Sequence, residues 1–378
     1  NTGVISIEAG LFVKLHGFNP LYDKGFETHD LSIRAKSYKA SAFISKESHV
    51  ISFDEGRGWS EYSQKKFYDD WSDELEEFNS MGGRLLNSSG FIANSYEELS
   101  DTCGKYKRLV PKLRPISKNN GYRWSVKIAA PPDNRRFAWG DMYFAQSLVS
   151  ALRSLGQTAF IDFLYAHDRP TSYLDDVILD IRGLADVKPQ PDKLNIMWVI
   201  SHPDRVDIET VRAFDKVYSA GSKWSKYMSD MSGVQVDFLP QCTDPDIFHP
   251  TDTQEEFNNK IIFVGNSRGV SRPIVTDAIK AGLEVSVYGG GWNGLIDTKY
   301  IKGEFIPNNK LAEAYSSAAA VLNDHWSDMR DWGFVSNRIF DAAASGALVI
   351  TDDVVGLEDI SSLSSVKVYE DYSDLAAI

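Results

Sequence analysis

The stretch DWGFVSNRIFDAAASGALVITDD, residues 331–353, decides how the rest of the chain is interpreted. It predicts a glycine-bearing loop, a short helix that ends at Gly346, and then a buried strand. Asn337, Arg338 and Asp341 share one face of that helix, because residues three and four apart are neighbours. Such a helix start suits a nucleotide, with the guanidinium and free N–H groups on phosphate and the carboxylate on ribose. A solvated helix start with an ordinary cap is the alternative.

Length and composition bound the class of protein. A chain of 378 residues with 43% apolar and 12% aromatic residues predicts two or three packed domains. The net charge of −13 argues against nucleic acid or an anionic membrane as the main partner. Cys103 and Cys242 have no metal-ligand spacing, which predicts no disulfide framework and a reducing, cytosolic setting. The chain opens at Asn1 without Met or a signal peptide, so we expect a piece of a longer protein.

From Trp124 onwards, short apolar runs alternate with helical patterns in two successive series. The first series predicts strands over 126–130, 158–163, 178–184, 195–200, 216–220 and 235–239, with a helix over 141–155. The second, after a polar boundary at 251–259, predicts strands over 261–264, 284–288, 319–323 and 347–350, with helices over 273–281 and 309–317. Such alternation predicts βαβ units and a parallel sheet in each half.

The N-terminal part has a different pattern. Residues 17–58, GFNPLYDKGFETHDLSIRAKSYKASAFISKESHVISFDEGRG, resemble the C-terminal part of GT-A glycosyltransferases of the large inverting family that includes many polysaccharide synthases. The matching residues are Gly17, Phe18, Asn19, Glu27, Asp30, Leu31, Arg34 and His49. The resemblance places that family's catalytic base on Asp30, but its upstream nucleotide and metal site has no counterpart here. We therefore expect residues 1–75 to be an inactive remnant, with an unrelated α+β cap as the alternative.

Residues 76–122 are predicted to form a helical linker between the modules. Apolar residues spaced by three to five positions predict a helix after residue 60, and a second helix is predicted over 95–110. Pro111 and Pro115, followed by a polar run at 117–121, then indicate a connecting segment.

Polar motifs follow several strands of the second series. GNSR at 265–268 offers backbone N–H groups and a cation to a diphosphate, with Arg272 just before the next helix, although most such turns only reverse the chain. Three glycines at 289–291 permit close backbone approach or simple flexibility. GEFIP at 303–307 and LNDH at 322–325 follow. His325 either contacts a ligand or forms structural hydrogen bonds within the protein.

These motifs together resemble GT-B glycosyltransferases with a "glycosyl transferases group 1" C-terminal half, especially the spore-maturation-protein-type branch. The opening stretch matches that family's signature Arg-x-Phe-Glu-Ala-x-Ala-x-Gly at Arg338, Phe340, Asp341, Ala342, Ala344 and Gly346, with Asp341 in place of the usual Glu. The resemblance implies an α/β GT-B fold, in which an acceptor domain at 123–250 and a donor domain at 251–378 are Rossmann-like and face a cleft. The donor-binding residues it implies are Gly265, Asn266, Ser267, Arg268, Arg272, Phe305, Ile306, His325, Asn337, Arg338 and Asp341.

The catalytic base would come from the acceptor domain, across the cleft from the donor-binding residues. Asp141, in the motif FAWGD, either caps its helix or takes the proton of an acceptor hydroxyl. His202, after the strand at 195–200, is the second candidate for the base. We expect no cofactor and no metal, a nucleoside-diphosphate sugar as donor, and a free or lipid-linked glycan as acceptor in bacterial surface polysaccharide synthesis. Inversion is slightly favoured over retention.

Two other functions remain open. A sugar-nucleotide epimerase shares the GT-B fold and needs no acceptor, and a non-catalytic scaffold module would organise a larger synthase. Nucleic acid is not an expected partner, whereas other polysaccharide-synthesis proteins are, at the cytoplasmic side of the membrane.

Overall fold

The structure is a computed structural model that describes residues 6–22, 26–40, 60–71, 91–100, 107–115, 121–169 and 171–377. The chain divides into two units, Asn1–Gly121 and Tyr122–Ile378. Within the described ranges, no helix is both long and apolar enough to cross a membrane.

Three helices are described in the first unit: α1 (Ala9–Lys14), α2 (Glu27–Ser37) and α3 (Glu61–Trp71). Aromatic packing joins the last two, since the rings of Phe26 and Phe67 lie 4.9 Å apart.

Asp30, the position of the resembled family's base, is 1% exposed in this unit. Its carboxylate accepts hydrogen bonds from Arg34 Nε at 2.8 Å and Trp71 Nε1 at 3.1 Å. Both carboxylate oxygens of Asp30 therefore hold the fold together. His49 lies outside the described residues, and the GT-A resemblance stays a prediction.

The helix predicted over 95–110 is wrong. Two segments within and beside this range instead form an antiparallel pair, β1 (Phe91–Ser100) with β2 (Lys107–Pro115), in which Tyr96 faces Pro111. A two-stranded sheet has only edges, and edge strands tolerate prolines that a helix interior does not. The predicted linker therefore contains a β-hairpin, while 76–90 lies outside the described residues.

The second unit begins with a six-stranded parallel sheet. Its strands are β3 (Arg123–Lys127), β4 (Thr158–Asp162), β5 (Val177–Arg182), β6 (Leu194–Val199), β7 (Lys216–Ser219) and β8 (Val236–Phe238). They lie in the order β4-β3-β5-β6-β7-β8. Helices α4 (Gly140–Ser154), α5 (Ile208–Ala213) and α6 (Ser222–Ser232) accompany them. Every residue of β5 is buried, as expected for a parallel strand covered on both faces.

A second six-stranded parallel sheet follows. Its strands are β9 (Ile261–Val264), β10 (Val285–Tyr288), β11 (Ile301–Gly303), β12 (Ala320–Asn323), β13 (Val349–Asp352) and β14 (Lys367–Tyr369). They lie in the order β11-β10-β9-β12-β13-β14. The accompanying helices are α7 (Pro273–Lys280), α8 (Leu311–Ser317), α9 (Ser327–Trp332), α10 (Asn337–Ala344) and α11 (Tyr372–Ala377). Gly346 follows α10 with φ 84°, so the predicted stop of that helix is confirmed.

Strand order locates a crevice in each sheet. In the first sheet the direction of strand addition reverses between β3 and β5, and in the second it reverses between β9 and β12. Ligands of open α/β sheets bind at the carboxyl ends of the strands at such switch points. The predicted fold class, two Rossmann-like parallel α/β domains, is confirmed, and we call them the N-terminal and the C-terminal half.

The two halves are packed closely at one side. Phe334 of the C-terminal half is 0% exposed and belongs to the hydrophobic cluster around Trp224 and Met228 of the N-terminal half. Its backbone forms a bridge with Gly221, where an added Cβ would lie 2.4 Å from the Phe334 ring. Residues 239–260 form the connector between β8 and β9. Gln241, on this connector, donates to the carbonyl of Ile200 at 3.0 Å. The insertion of the Phe334 ring into this cluster therefore holds the two halves together at one side of their boundary.

Candidate active site

Two glycine-containing loops meet at the carboxyl ends of β9 and β10. A Cβ on Gly289 would lie 2.0 Å from the carbonyl oxygen of Gly265, so only glycine allows this approach. Asn266 Oδ1 accepts from the Gly290 amide at 2.7 Å, and the Ser267 amide donates to the Gly290 carbonyl at 3.0 Å. The predicted donor residues Asn266 and Ser267 therefore stiffen the loop with these contacts.

Arg268 lies at the exposed tip of that loop with φ 56°, in the left-handed region. Within the described residues, the backbone amides of Asn266 and Arg268 have no hydrogen-bond acceptor. The guanidinium carbon of Arg268 lies 5.7 Å from the centre of the Trp326 ring. Unpaired amides beside a cation form a concavity suited to phosphate oxygens.

Arg338 reaches the same switch point from α10. Its Nη1 donates to Asn323 Oδ1 at 2.8 Å, and its guanidinium carbon lies 5.2 Å from the centre of the Phe263 ring. A Cβ on Gly265 would lie 2.7 Å from Arg338 Nη2, so the guanidinium lies against the GNSR loop. The structure thus brings together the two donor motifs, which are some 70 residues apart in the sequence.

Arg272 has a different position from the one expected of a phosphate ligand. It is 8% exposed, and its guanidinium pairs with the Asp324 carboxylate through Nε at 3.0 Å and through Nη2. Nη2 also donates to the Asp324 carbonyl at 3.1 Å. Arg272 thus holds the end of β12 against the end of β9, and its role at the diphosphate stays a prediction. Asp324, which the sequence analysis did not single out, is its partner.

His325 is likewise engaged by the protein itself, and its side chain is 0% exposed. Ring Nε2 accepts from the Ser336 amide at 2.9 Å, so the ring proton is on Nδ1, which donates to Asp352 Oδ1 at 2.6 Å. Both ring nitrogens are used within the protein, in keeping with the structural alternative, and the donor contact stays a prediction. His325 positions the loop that leads into α10.

Asp341 is the predicted ribose ligand. Its carboxylate accepts from Thr243 Oγ1 at 2.7 Å and from Asn337 Nδ2 at 3.0 Å. Burial raises the pKa of Asp341 to about 7, against the lowering effect of those two hydrogen bonds. Thr243 lies on the connector between the halves, and no sequence pattern indicated it. A ribose hydroxyl would share or replace these contacts.

The remaining predicted donor residues lie at the edge of the second sheet, just after β11. Phe305 is 71% exposed, whereas Ile306 is 8% exposed and packs in the core. Only the backbone of Ile306 is therefore available to a ligand, while the Phe305 ring offers an open face.

On the opposing side, Asp141 lies in the first turn of α4, whose N-cap residue is Trp139. The side chain of Asp141 accepts a hydrogen bond from its own backbone amide and none from another residue in the described part of the chain, so the capping alternative stays open. A Cβ on Gly183 would lie 3.6 Å from Asp141 Oδ2, which places the carboxylate at the end of β5. Burial raises the pKa of Asp141, and the charge of Arg268 opposes that rise.

His202 follows β6 with φ 51° and begins a short 3-10 helix. Burial lowers the pKa of His202; Asp328 and Asp204 act to raise it, and Arg205 and Arg268 to lower it. His202, Asp204 and Asp328 each offer one potential metal-ligand atom, and these atoms lie within 4.8 Å of one another. Asp328 is on α9, so this group joins the two halves.

Arg268 therefore connects the candidate residues of both halves. Its charge acts on Asp141 and on His202, although it belongs to the opposite sheet. A cationic phosphate-type loop and two candidate bases thus lie within electrostatic reach of each other, which is the arrangement needed for transfer between a bound anion and a second substrate.

Comparison with known proteins adds a family resemblance to this geometry. Residues 271–378 match the glycosyl transferase-like family model. The match covers less than a third of the chain and includes Arg272, just before α7, Asp324, just after β12, and Arg338 in α10. No curated protein matches the chain.

Solved structures with a similar fold include three glycosyltransferases of low sequence identity. AviGT4, a glycosyltransferase involved in avilamycin A biosynthesis, is 14% identical with a TM-score of 0.46, covering 68% of this chain and 87% of that chain. An alpha-glucosyltransferase in complex with UDP is 12% identical with a TM-score of 0.44, covering 68% and 89%. An alpha-glucosyltransferase in complex with UDP-glucose and DNA containing an abasic site is 12% identical with a TM-score of 0.45, over the same shares.

Proposed function

We propose that the chain is a glycosyltransferase that moves a sugar from a nucleoside-diphosphate donor to a carbohydrate acceptor. The observation that carries this proposal is the meeting of two sets of groups across the halves. Arg268 and Arg338 lie at the C-terminal switch point, and Arg268 acts electrostatically on Asp141 and His202 of the N-terminal half. The family match over residues 271–378 supports the same assignment.

The diphosphate would lie at the GNSR loop. Arg338, the exposed Arg268 and the unpaired amides of that loop supply positive potential where the leaving group develops charge. Ribose hydroxyls would donate to Asp341, and the exposed ring of Phe305 would stack on the base. Because arginines and amides can neutralise the diphosphate, the proposed mechanism needs no metal.

The acceptor hydroxyl would be deprotonated from the N-terminal half as it attacks the anomeric carbon. Asp141 is the preferred base, because its carboxylate lies at the end of β5 and accepts no hydrogen bond from another described residue, and burial raises its pKa above the ordinary value. Attack from this side, opposite the diphosphate, favours inversion. By the same proposal the product is a bacterial surface polysaccharide, assembled at the cytoplasmic side.

Calorimetric titration with UDP, GDP, ADP and dTDP tests the donor half of the proposal. We expect one of them to bind with a micromolar dissociation constant, and failure of all four to bind would remove the enzyme assignment and leave a scaffold. Incubation of the matching nucleotide sugars without acceptor then separates transferase from epimerase. A transferase gives at most slow donor hydrolysis, whereas an epimerase interconverts two nucleotide sugars.

A further inference from the structure

A chain of buried polar side chains leads from Arg338 across the ends of β12 and β13. Arg338 Nη1 donates to Asn323 Oδ1 at 2.8 Å, and Asn323 Nδ2 donates to Thr351 Oγ1 at 3.0 Å. Thr351 Oγ1 donates in turn to Asp352 Oδ1 at 3.0 Å. Asn323 and Thr351 are paired in the register of the sheet and are both 0% exposed, so solvent does not compete for the contact between them.

The same chain of contacts returns to the helix that carries Arg338. Asp352 also accepts from His325, whose ring Nδ1 lies at 2.6 Å and whose backbone amide lies at 3.1 Å. The other ring nitrogen, Nε2, accepts from the amide of Ser336 at 2.9 Å, and Ser336 is the N-cap residue of α10. Arg338 is the second residue of that helix. One hydrogen-bond network therefore holds both its guanidinium and the helix start beside its backbone.

Each contact fixes the direction of the next. The Thr351 hydroxyl has one proton, which it donates to the Asp352 carboxylate, so toward Asn323 it can only accept. The Asn323 amide must therefore present its NH₂ group to Thr351 and its oxygen to Arg338. A flipped amide would place its NH₂ group against the guanidinium, donor against donor. The Thr351 hydroxyl thus determines which end of the Asn323 amide Arg338 meets.

We propose that this network positions the Arg338 guanidinium for nucleotide binding; this rests on the proposed function. Its positioning residues are Asn323, Thr351 and Asp352. An arginine side chain has several rotatable bonds, and ordering it when a ligand binds lowers the affinity. Here Nη1 is held within the protein, while Nη2 lies 2.7 Å from the Cβ position of Gly265 in the GNSR loop. The guanidinium is therefore oriented in advance against the loop where the diphosphate would lie.

A network that only joined the strand ends would affect the stability of the protein and leave the ligand's affinity unchanged. A positioning network acts through the guanidinium, so its effect on affinity must disappear when that guanidinium is removed. Substitution of Thr351 with and without Arg338 therefore separates the two roles.

Calorimetric titration of the full chain with UDP, GDP, ADP and dTDP provides the measurement. Thr351→Val removes the hydroxyl and keeps the size of the side chain, so the Asn323 amide loses its fixed direction. We expect the nucleotide that binds to do so about threefold to tenfold more weakly, the effect of one side chain left to be ordered on binding. Thr351→Ser keeps the hydroxyl and is the matched control, with an affinity within about twofold of the unaltered chain. In the Arg338→Ala background, Thr351→Val should change the affinity by less than about twofold.

Asn323→Ala provides a second variant that does not leave an unpaired amide in the core. It removes the contact with Arg338 together with the NH₂ group that Thr351 satisfies. The same nucleotide should again bind about threefold to tenfold more weakly. Thermal unfolding of each variant measures stability separately from affinity.

The outcomes separate this inference from the proposed function. Unchanged affinity in both Thr351→Val and Asn323→Ala would overturn the inference, and so would an equal loss from Thr351→Val with and without Arg338. Either result would leave a network that serves stability alone, while nucleotide binding and the transferase function would stand. Absence of nucleotide binding by the unaltered chain would remove the transferase function, and the positioning role with it.

Discussion

The two switch points of the molecule differ in chemistry although both lie between parallel strands of similar sheets. The one in the C-terminal half is built from glycine loops with unpaired amides and from Arg268 and Arg338. The one in the N-terminal half is built from the aromatic rings of Trp139 and Tyr165, the Arg135–Asp133 ion pair and the carboxylate of Asp141. One crevice therefore offers cations and backbone amides, and the other offers aromatic surface beside a candidate base.

In both halves the fold determines where a site lies, and the side chains determine which ligand the site suits. Both crevices follow from strand order alone. The two would act on different substrates. Across the boundary, Arg268 acts electrostatically on both candidate bases, and Asp328 acts on His202. Substitutions confined to one crevice should therefore change one substrate's parameters and leave the other's unchanged.

The largest effect is expected at the N-terminal crevice. Asp141→Asn should lower turnover by about 100- to 10,000-fold, the contribution of a positioned general base, without changing nucleotide affinity. Steady-state rates with donor and acceptor, beside calorimetric titration of the nucleoside diphosphate, measure the two effects separately. Asp168→Asn, an exposed carboxylate of the same half, is the control. Near-normal turnover in Asp141→Asn combined with a large loss in His202→Asn would transfer the role to His202.

At the C-terminal crevice, Arg338→Ala should weaken nucleoside-diphosphate binding by about 10- to 100-fold, because charged hydrogen bonds to phosphate are lost. The affinity for the acceptor should stay the same. Arg330→Ala removes an exposed arginine from α9 and serves as the control for charge. An unchanged dissociation constant for Arg338→Ala would place the diphosphate elsewhere.

The pH dependence of donor binding should report on Asp341. Its pKa of about 7 is above the usual value, so the carboxyl is mostly protonated at pH 6 and mostly ionised at pH 8. The ionised form accepts ribose hydroxyls better, and nucleotide affinity should rise about threefold to tenfold over that interval. Calorimetry at both pH values measures this, and Asp341→Asn should remove the dependence. An equal rise in the Asp341→Asn variant would show that another group titrates.

The smallest effect is expected for metal removal. Treatment with EDTA should change the transfer rate by less than twofold, since arginines and amides neutralise the proposed diphosphate. A larger loss that added Mn²⁺ restores would assign a cation to His202, Asp204 and Asp328, and Asp328→Asn would then remove the metal response.

Much of the fold follows from the sequence, because buried parallel strands are continuous apolar runs with clear ends. Ile261–Val264 has the predicted bounds, and most other strands of the second unit shift by only one to three residues. The hairpin of β1 and β2 was missed for a physical reason. Its stability comes from pairing between segments on two sides of a turn, whereas its own spacing of apolar residues resembles a helix.

The sequence predicted the location of the candidate site better than it predicted the roles of the residues in it. Strand-end motifs placed Arg338 beside the GNSR loop, as the structure has them, whereas the ribose contact of Asp341 stays a prediction. The partners that change a role were not visible: Asp324 lies 52 residues from Arg272, and Thr243 lies 98 residues from Asp341. A cation or carboxylate in a motif looks the same in sequence whether it is free for a ligand or already paired.

The insertion of Phe334 has a consequence for how the molecule unfolds. Because this ring fills the hydrophobic cluster of the N-terminal half, removing the C-terminal half would leave a phenylalanine-sized void there, a loss of about 3–5 kcal/mol. The N-terminal half then has no complete core by itself. Residues 122–377 should melt in a single cooperative transition, and an exchange of one half for a relative's half would have to carry a matching ring and a glycine opposite it.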